Sequence, residues 1–518
     1  MTSRQDLAQT FAAVAAHQPD RPALSVRGQE ISYGALDETA RRWAGFLTSR
    51  LGGPARRVGI FGARSAVSYT GTIASLYSGG AFVPLNPRFP AERTRRMLEL
   101  AGLDAVICDK TGAQQLEAVL EGVAVRPLIL RPEEEDAALL ASVPPLAELP
   151  PVAMDQVAYL LFTSGSTGLP KGVPITQGNV RAYLDWASGR YGITPDDRFS
   201  QTFDQTFDLS VHDQFLCWEN GACLVAMSSI ELLAPARFIQ RNRLTVWFSV
   251  PSIVAQMRKR NTLLPDAFPE LRWSLFCGEP LPRASAEAWQ AAAPNSIVEN
   301  LYGPTELTIA CCVHRWDPAH SPALCVNDMV SIGAPFPGLT AVLLDDQLQT
   351  VPPGSDGELC LCGPQTSPGY WNDPTKTAER FVTLPNGPIP GERYYRTGDR
   401  AIQLENGEYA CLGRTDHQVK VLGFRVELGE IEAALQKDAR VVQAVAMGWP
   451  IVEGTAQGIV AFVSGSGLDL NALKDACRAS VADYMVPSAI HFVEEMPLNA
   501  NGKVDRGALA QRLTEKAG

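Results

Sequence analysis

Apolar positions in the first 150 residues fall into two alternating rhythms. Leu7 to His17 repeats at helical spacing, Ala23-Leu-Ser-Val26 is a short apolar string, and Ser32 opens a helical run to Trp43 from a cap position. Arg57-Val-Gly-Ile-Phe61 and Ala105-Val-Ile-Cys108 have the continuous apolar character of buried strands, with helical stretches between them. Such alternation predicts a layered α/β domain. Pro84-Leu-Asn-Pro87 and Pro90 predict a fixed turn, and Glu133 to Asp136 with the Pro-rich stretch to Pro151 reads as surface linker.

The rhythm continues past residue 150. Val157 to Phe162 predicts a buried strand and Asn179 to Tyr191 a helix. Leu244 to Val250, Trp273 to Cys277 (followed by Gly278) and Ile297 to Glu306 predict strands that end in turns. Ligands of open α/β sheets gather beyond such strand ends. From Ile332 the texture changes: Ala341-Val-Leu-Leu344 and Gly357-Glu-Leu-Cys-Leu361 sit between Gly and Pro turns, which predicts a β-barrel-like part running to about residue 415. Residues 416–518 then form an α+β unit of acceptable domain size, with Lys503 on a tight turn near its end.

Bulk properties narrow the class. A chain of 518 residues exceeds one hydrophobic core, and 46% hydrophobic with 19% charged residues is ordinary for a globular enzyme. The net charge of −11 argues against a nucleic-acid surface. No apolar run reaches the length of a membrane span, and the first residues lack a signal-peptide pattern, so the cytoplasm is the expected location. The eleven cysteines are scattered and several sit in apolar strings, which predicts buried reduced thiols. Cys311/Cys312 and Cys360/Cys362 lack zinc-site spacing, and no structural metal is expected.

Candidate chemistry begins at Thr163-Ser-Gly-Ser-Thr-Gly-Leu-Pro-Lys-Gly172, straight after a strand. Glycines let main-chain N–H groups approach an anion, hydroxyls donate further bonds, and Lys171 adds a point charge. The stretch reads as a phosphate cradle, with a plain surface loop as the alternative. It is not a Walker loop, because Pro170 stands where the second glycine is needed. Asp204, Asp208 and Asp213 lie among apolar neighbours. Either a cation meets them or they cap helices and turns at the surface. Glu306, in a hydroxyl-rich turn, suits Mg2+, and Asp399 is a carboxylate expected at a turn.

Six stretches in order (Thr163–Val173, Asn300–Glu306, Gly357–Glu358, Tyr395–Asp399, Gly413–Glu432 and Asn501–Lys503) resemble the ANL superfamily of adenylating enzymes. Within it they are similar to the free-standing amino-acid adenylation domains of nonribosomal peptide synthesis. The resemblance implies an N-terminal adenylate-forming core over 1–415, with its barrel-like part at about 332–415, and a mobile C-terminal domain over 416–518. It implies ATP and Mg2+, formation of an acyl-adenylate with loss of pyrophosphate, then transfer to a thiol. By that resemblance Thr163, Ser164, Gly165, Ser166, Thr167, Gly168 and Lys171 hold the departing phosphates, and Glu306 binds Mg2+. Thr305 touches the α-phosphate; Gly278, Glu279, Asn300, Tyr302 and Gly303 line the adenine slot; Asp399 accepts the ribose hydroxyls with Arg414 beside it. Lys503 bridges the substrate carboxylate and the α-phosphate, and Asp416 is the hinge.

Asp208 falls where amino-acid-activating members keep a partner for the α-ammonium. The implied pocket wall is Leu209, His212, Phe248, Leu275, Cys277, Leu301, Ile309 and Ala310, apolar apart from His212, which disfavours charged side chains. The set is most like that of prolyl-AMP ligases, so L-proline leads, with serine, alanine or another small amino acid as alternatives. His212 departs from that pattern: it is either a satisfied wall histidine or a donor to a polar side chain. The chain ends soon after Lys503, so a separate phosphopantetheinylated carrier protein is the expected acceptor, with no nucleic-acid or membrane partner. Rival readings are a small-carboxylate CoA ligase and a degenerate binding module; Lys171, Glu306, Asp399 and Lys503 together speak against the second.

Overall fold

A computed structural model describes the chain except residues 1–4, 166–169, 353, 385–386, 417, 498–503 and 518. It divides into two units: Met1–Pro87, Thr94–Phe162 and Lys171–Asp416 form the first, and Arg88–Arg93, Thr163–Pro170 and His417–Gly518 the second.

The first unit is built on three sheets. In the largest, five parallel pairings link the strands Ile297–Tyr302, Trp273–Phe276, Val246–Ser249, Arg198–Gln201, Cys223–Ala226 and Pro22–Val26, in that order. Both faces of these strands are covered, which is why they read as unbroken apolar runs rather than alternating ones. Cys312–Arg315 and Gln29–Ser32 extend the sheet by antiparallel pairing. A six-stranded sheet runs Leu128–Leu130, Ala105–Cys108, Arg57–Phe61, Ala81–Leu85, Val157–Thr163 and Lys171–Thr176. The barrel-like part is a five-stranded antiparallel sheet of Thr340–Leu344, Asp356–Cys362, Phe381–Thr383, Arg393–Gln403 and Tyr409–Arg414.

Most predicted elements are present. Helix Leu7–His17 is capped by Asp6, and Ser32 caps helix Tyr33–Leu51, accepting from the Ala35 amide. Three local expectations are corrected. Pro84 and Leu85 belong to the buried strand Ala81–Leu85, where Pro84 pairs with Ile60; apolar burial on both faces outweighs the turn signal of the prolines. A short helix, Ala137–Ser142, interrupts the predicted linker because Leu140 has a core to enter. Asp399 lies inside strand Arg393–Gln403 rather than at a turn. There Gly398 takes φ +73° at a register shift, so a bulge supplies the bend the sequence suggested. All eleven cysteines are free thiols, nine of them buried.

The second unit carries a three-stranded sheet of Val441–Gly448, Ile459–Gly465 and Ala489–Phe492, with helices Leu428–Leu435, Leu470–Arg478 and Arg506–Ala517. Val445, Val460, Phe462, Leu509 and Leu513 form part of its core. Within this unit the Ser164 hydroxyl donates to the Arg425 carbonyl at 2.8 Å and accepts from the Glu427 amide at 3.1 Å. Glu430 takes the Gly165 amide and pairs with Arg93.

Candidate active site

Parallel pairing sets Phe248 beside Leu275 and Phe276 beside Asn300, so the C-terminal strand ends of the large sheet converge on one rim. Beyond that rim lie Cys277, Gly278 at φ +92° and Glu279, whose Oε2 accepts the Ser252 amide at 2.8 Å. Asn300 donates to the Ser331 carbonyl at 2.8 Å, while its own Oδ1 is buried with no partner among the described residues. A ligand N–H or O–H group could satisfy this oxygen. Gly303 is required by space: a Cβ there would stand 2.5 Å from the Ala310 Cα, and backbone does not yield cheaply.

Asp399 is held from two sides. The Tyr302 hydroxyl donates to Oδ2 at 2.6 Å and Arg414 Nη1 to Oδ1 at 2.8 Å. Each carboxylate oxygen keeps a second acceptor direction, which suits a vicinal diol. Arg414 also pairs with Asp416 at 2.7 Å, tying the last residue of the first unit to the ribose candidate.

Glu306 lies in the 3-10 turn Thr305–Leu307, is fully buried, and accepts from the Tyr370 hydroxyl at 2.8 Å. Lys171 Nζ stands 5.5 Å from the centroid of the same tyrosine ring. A buried carboxylate in a turn offers hard oxygen to Mg2+, which takes few protein ligands when phosphates complete its shell. The residues present therefore fit the ion.

Asp208 is 6% exposed, and its Oδ2 accepts the Ile309 amide at 3.2 Å while the Thr305 hydroxyl also donates to it. Burial pushes this carboxyl up to about 7, against the pull of those two donors and with a further push from Glu306. The donors reach it because Thr308 and Ile309 are both left-handed, at φ +58° and +71°. Such conformations are costly for β-branched residues and persist only when clamped. Gln365 is the clamp: its side-chain amide donates to the carbonyls of Leu307, Thr308 and Ala310, and its backbone carbonyl accepts the Thr308 hydroxyl at 2.6 Å.

Leu209, Phe248, Leu275, Cys277, Leu301, Ile309 and Ala310 all belong to one buried apolar cluster. His212 is fully buried, with its ring 4.8 Å from Phe248 and Nδ1 at 2.7 Å from the Tyr183 hydroxyl. Asp213, also fully buried, has neither carboxylate oxygen partnered among the described residues. Asp204 is a local turn acceptor for Thr206 and takes a bond from Asn86.

Among the residues predicted for the site, Asp208, Thr305 and Ile309 are brought together by hydrogen bonds, as are Tyr302, Asp399 and Arg414. Thr163, Ser164 and Gly165 fall in the second unit, and Ser166, Thr167, Gly168 and Lys503 lie outside the described residues. Tyr370, Gln365 and Tyr183 carry no signal in the sequence. None sits in a motif, and each meets its partner across 29 or more positions.

The AMP-binding enzyme family matches residues 11–371, and its C-terminal domain matches residues 430–503. A probable non-canonical nonribosomal peptide synthetase, CymA, of Salinispora arenicola is 36% identical over 97% of this chain, and a dimodular nonribosomal peptide synthase of Bacillus subtilis is 34% identical over 98%. The chain spans only 6% and 21% of the length of these two relatives. The Vibrio cholerae adenylation domain AlmE, solved in complex with glycyl-adenosine-5'-phosphate, superposes with a TM-score of 0.89 at 31% identity, covering 99% of each chain. These matches show that the chain belongs to the AMP-binding enzyme family, the ANL adenylating superfamily, and that it is similar to adenylation domains.

Proposed function

We propose that this protein activates a small neutral α-amino acid as its aminoacyl-adenylate and passes it to the phosphopantetheine thiol of a carrier protein. The observation that carries the reading is Asp208, a carboxyl buried in an apolar wall and held by Thr305 and Ile309. A carboxylate in such a place is expensive unless an ammonium meets it. The likeness to AlmE, seen with an aminoacyl-adenylate, supports the same assignment.

In the first half-reaction the substrate carboxylate attacks the α-phosphorus of ATP and pyrophosphate leaves. This chain's part is to orient and neutralise, as adenylyl transfer demands. Asp208 fixes the ammonium, and Thr305 links that anchor to the neighbouring Glu306. Asn300 takes the adenine amino group, Asp399 the ribose hydroxyls, and Lys171 a phosphate. Lys503 carries the role the motif implies for it, neutralising charge between the carboxylate and the α-phosphate. Glu306 would hold Mg2+, which would supply positive charge to the phosphate oxygens. On the apolar wall alone L-proline leads, with serine and alanine next.

Exchange of labelled pyrophosphate into ATP, measured across the amino acids and several simple carboxylic acids, tests this. At least one small neutral amino acid is expected to stimulate exchange. Stimulation by non-amino acids only would overturn the reading of Asp208 and favour a CoA ligase.

A further inference from the structure

On a chain whose formal charge is −11, residues 230–264 carry six cationic side chains against one carboxylate, Glu231. Within that stretch the aliphatic side chains of Ile230, Leu233 and Leu264 are 79%, 65% and 61% exposed. They border one face of the first unit. Arg260 Nη1 donates to the Leu233 carbonyl at 2.8 Å, and the neighbouring Leu232 and Leu263 both pack on the same buried cluster. Arg237, Lys259 and Arg260 are exposed around them, and none meets a carboxylate among the described residues. Arg241 differs, being paired with Glu231. A singly exposed leucine is ordinary, but three large aliphatic side chains in one cationic frame mark a surface that another molecule covers.

Resting on the carrier-transfer reading above, we propose that this face docks the carrier protein, through a carrier helix that sets acidic side chains around an aliphatic one. Charge complementarity favours that occupant. The chain as a whole repels an acidic protein, and this stretch reverses the sign. A second copy seated on it by two-fold symmetry would bring like cations together. Position favours the carrier too. Helix Pro251–Lys259 starts at the rim, where the Ser252 amide bonds Glu279, and ends at Lys259 beside the aliphatic side chains. At 1.5 Å per residue that path is about 14 Å, a distance a phosphopantetheine arm can cross. Ile230 and Leu233 are then the apolar anchors, and Arg237 and Lys259 the rim charges that steer and orient the partner.

The test separates docking from chemistry in the full chain. A holo carrier protein that the enzyme loads, selected from a panel, supplies the protein thiol; free phosphopantetheine supplies the thiol without a protein. Arg237→Glu/Lys259→Glu should raise the KM for the carrier about tenfold and flatten its dependence on salt. Transfer to free phosphopantetheine and amino-acid-dependent pyrophosphate exchange should not change. Ile230→Ser should raise the carrier KM several-fold at every salt concentration, with the same two controls unmoved. An unchanged carrier KM in both variants would overturn the proposal, as would equal losses with carrier and free thiol. Wild type that loads free phosphopantetheine but no carrier would overturn it while leaving the amino-acid activation intact. Transfer to neither thiol would overturn the carrier-transfer reading together with this face. Salt-sensitive self-association, or binding to phosphatidylserine vesicles, that Arg237→Glu/Lys259→Glu abolishes while the carrier KM holds would give the face to a second copy or a membrane and overturn the carrier assignment.

Discussion

Two aspartates five positions apart, Asp208 and Asp213, show how burial alone does not assign a role. Asp208 has donors aimed at it and a carboxyl raised to about 7. Ammonium binding requires its ionised form, so the amino-acid kcat/KM should rise with pH through the region near 7 and level off above it. Glu306 faces the same group and disfavours its ionisation, while the Tyr159 and Tyr183 hydroxyls near it, themselves pushed up by burial and by Asp208, stay neutral there. Asp208→Asn should flatten this rise, and Asp208→Ala should raise the amino-acid KM by one to two orders of magnitude while sparing the KM for ATP. An unchanged pH profile in Asp208→Asn would remove the carboxyl from ammonium recognition. Asp213 differs: burial holds it well above the carboxylate range, and among the described residues no donor opposes the shift. Its folded pKa is raised, so ionisation in the unfolded chain drains stability as pH climbs above about 4, by roughly 1.4 kcal/mol per unit until the folded group titrates. Asp213→Asn should therefore raise Tm, and by more at pH 8 than at pH 5; calorimetry at the two values checks it. At this scale the sequence exposed residues that belong to motifs. It hid Tyr370, Gln365 and Tyr183, because nothing near them in the chain marks a hydrogen bond made 64, 55 or 29 positions away.

Strand ends and the turns beyond them are the elements that make the site. Strands Val246–Ser249, Trp273–Phe276 and Ile297–Tyr302 were legible as apolar runs, and their parallel register explains why pocket residues recur at their ends. Turns are less legible in the sequence. Pro84 signalled a turn that burial overrode, and Asp399 signalled one that a bulge replaced. No periodicity announces the left-handed pair Thr308–Ile309, since β-branched residues adopt it only under outside constraint. That constraint is testable. Gln365→Ala removes the side-chain amide that donates to three loop carbonyls and leaves the backbone carbonyl that accepts the Thr308 hydroxyl in place. With buried groups left unpaired the cost should be about 2–4 kcal/mol, read as a lowered denaturation midpoint with an unchanged m-value. The amino-acid KM should rise with it, because the Ile309 amide loses its fixed aim at Asp208. A stable variant with normal KM would mean that the loop holds its own shape.

Over the whole molecule, the order of motifs was legible because each is contiguous in the chain, and the two-part organisation followed from length and the change of texture. Its bookkeeping was not legible, since Arg88–Arg93 and Thr163–Pro170 group with His417–Gly518 across hundreds of positions. Division of labour between the parts yields the last prediction. Asp208, Asn300, Glu306 and Asp399 belong to the first unit and Lys503 to the second. On the proposed chemistry, Lys503 acts on charge that grows only while the carboxylate attacks the α-phosphorus. Thioester formation breaks the acyl-phosphate bond with AMP as leaving group, and it does not need that neutralisation. Lys503→Ala should lower single-turnover adenylation by about 10²–10³-fold, the loss typical of removing one oxyanion stabiliser. Transfer from a preformed aminoacyl-adenylate to a carrier thiol should stay within a few fold of wild type. Binding of ATP should change little, because the adenine and ribose contacts sit elsewhere. Equal losses in the two half-reactions would show that Lys503 supports the enzyme's architecture or serves both steps, and the assignment of this lysine to adenylation alone would fall.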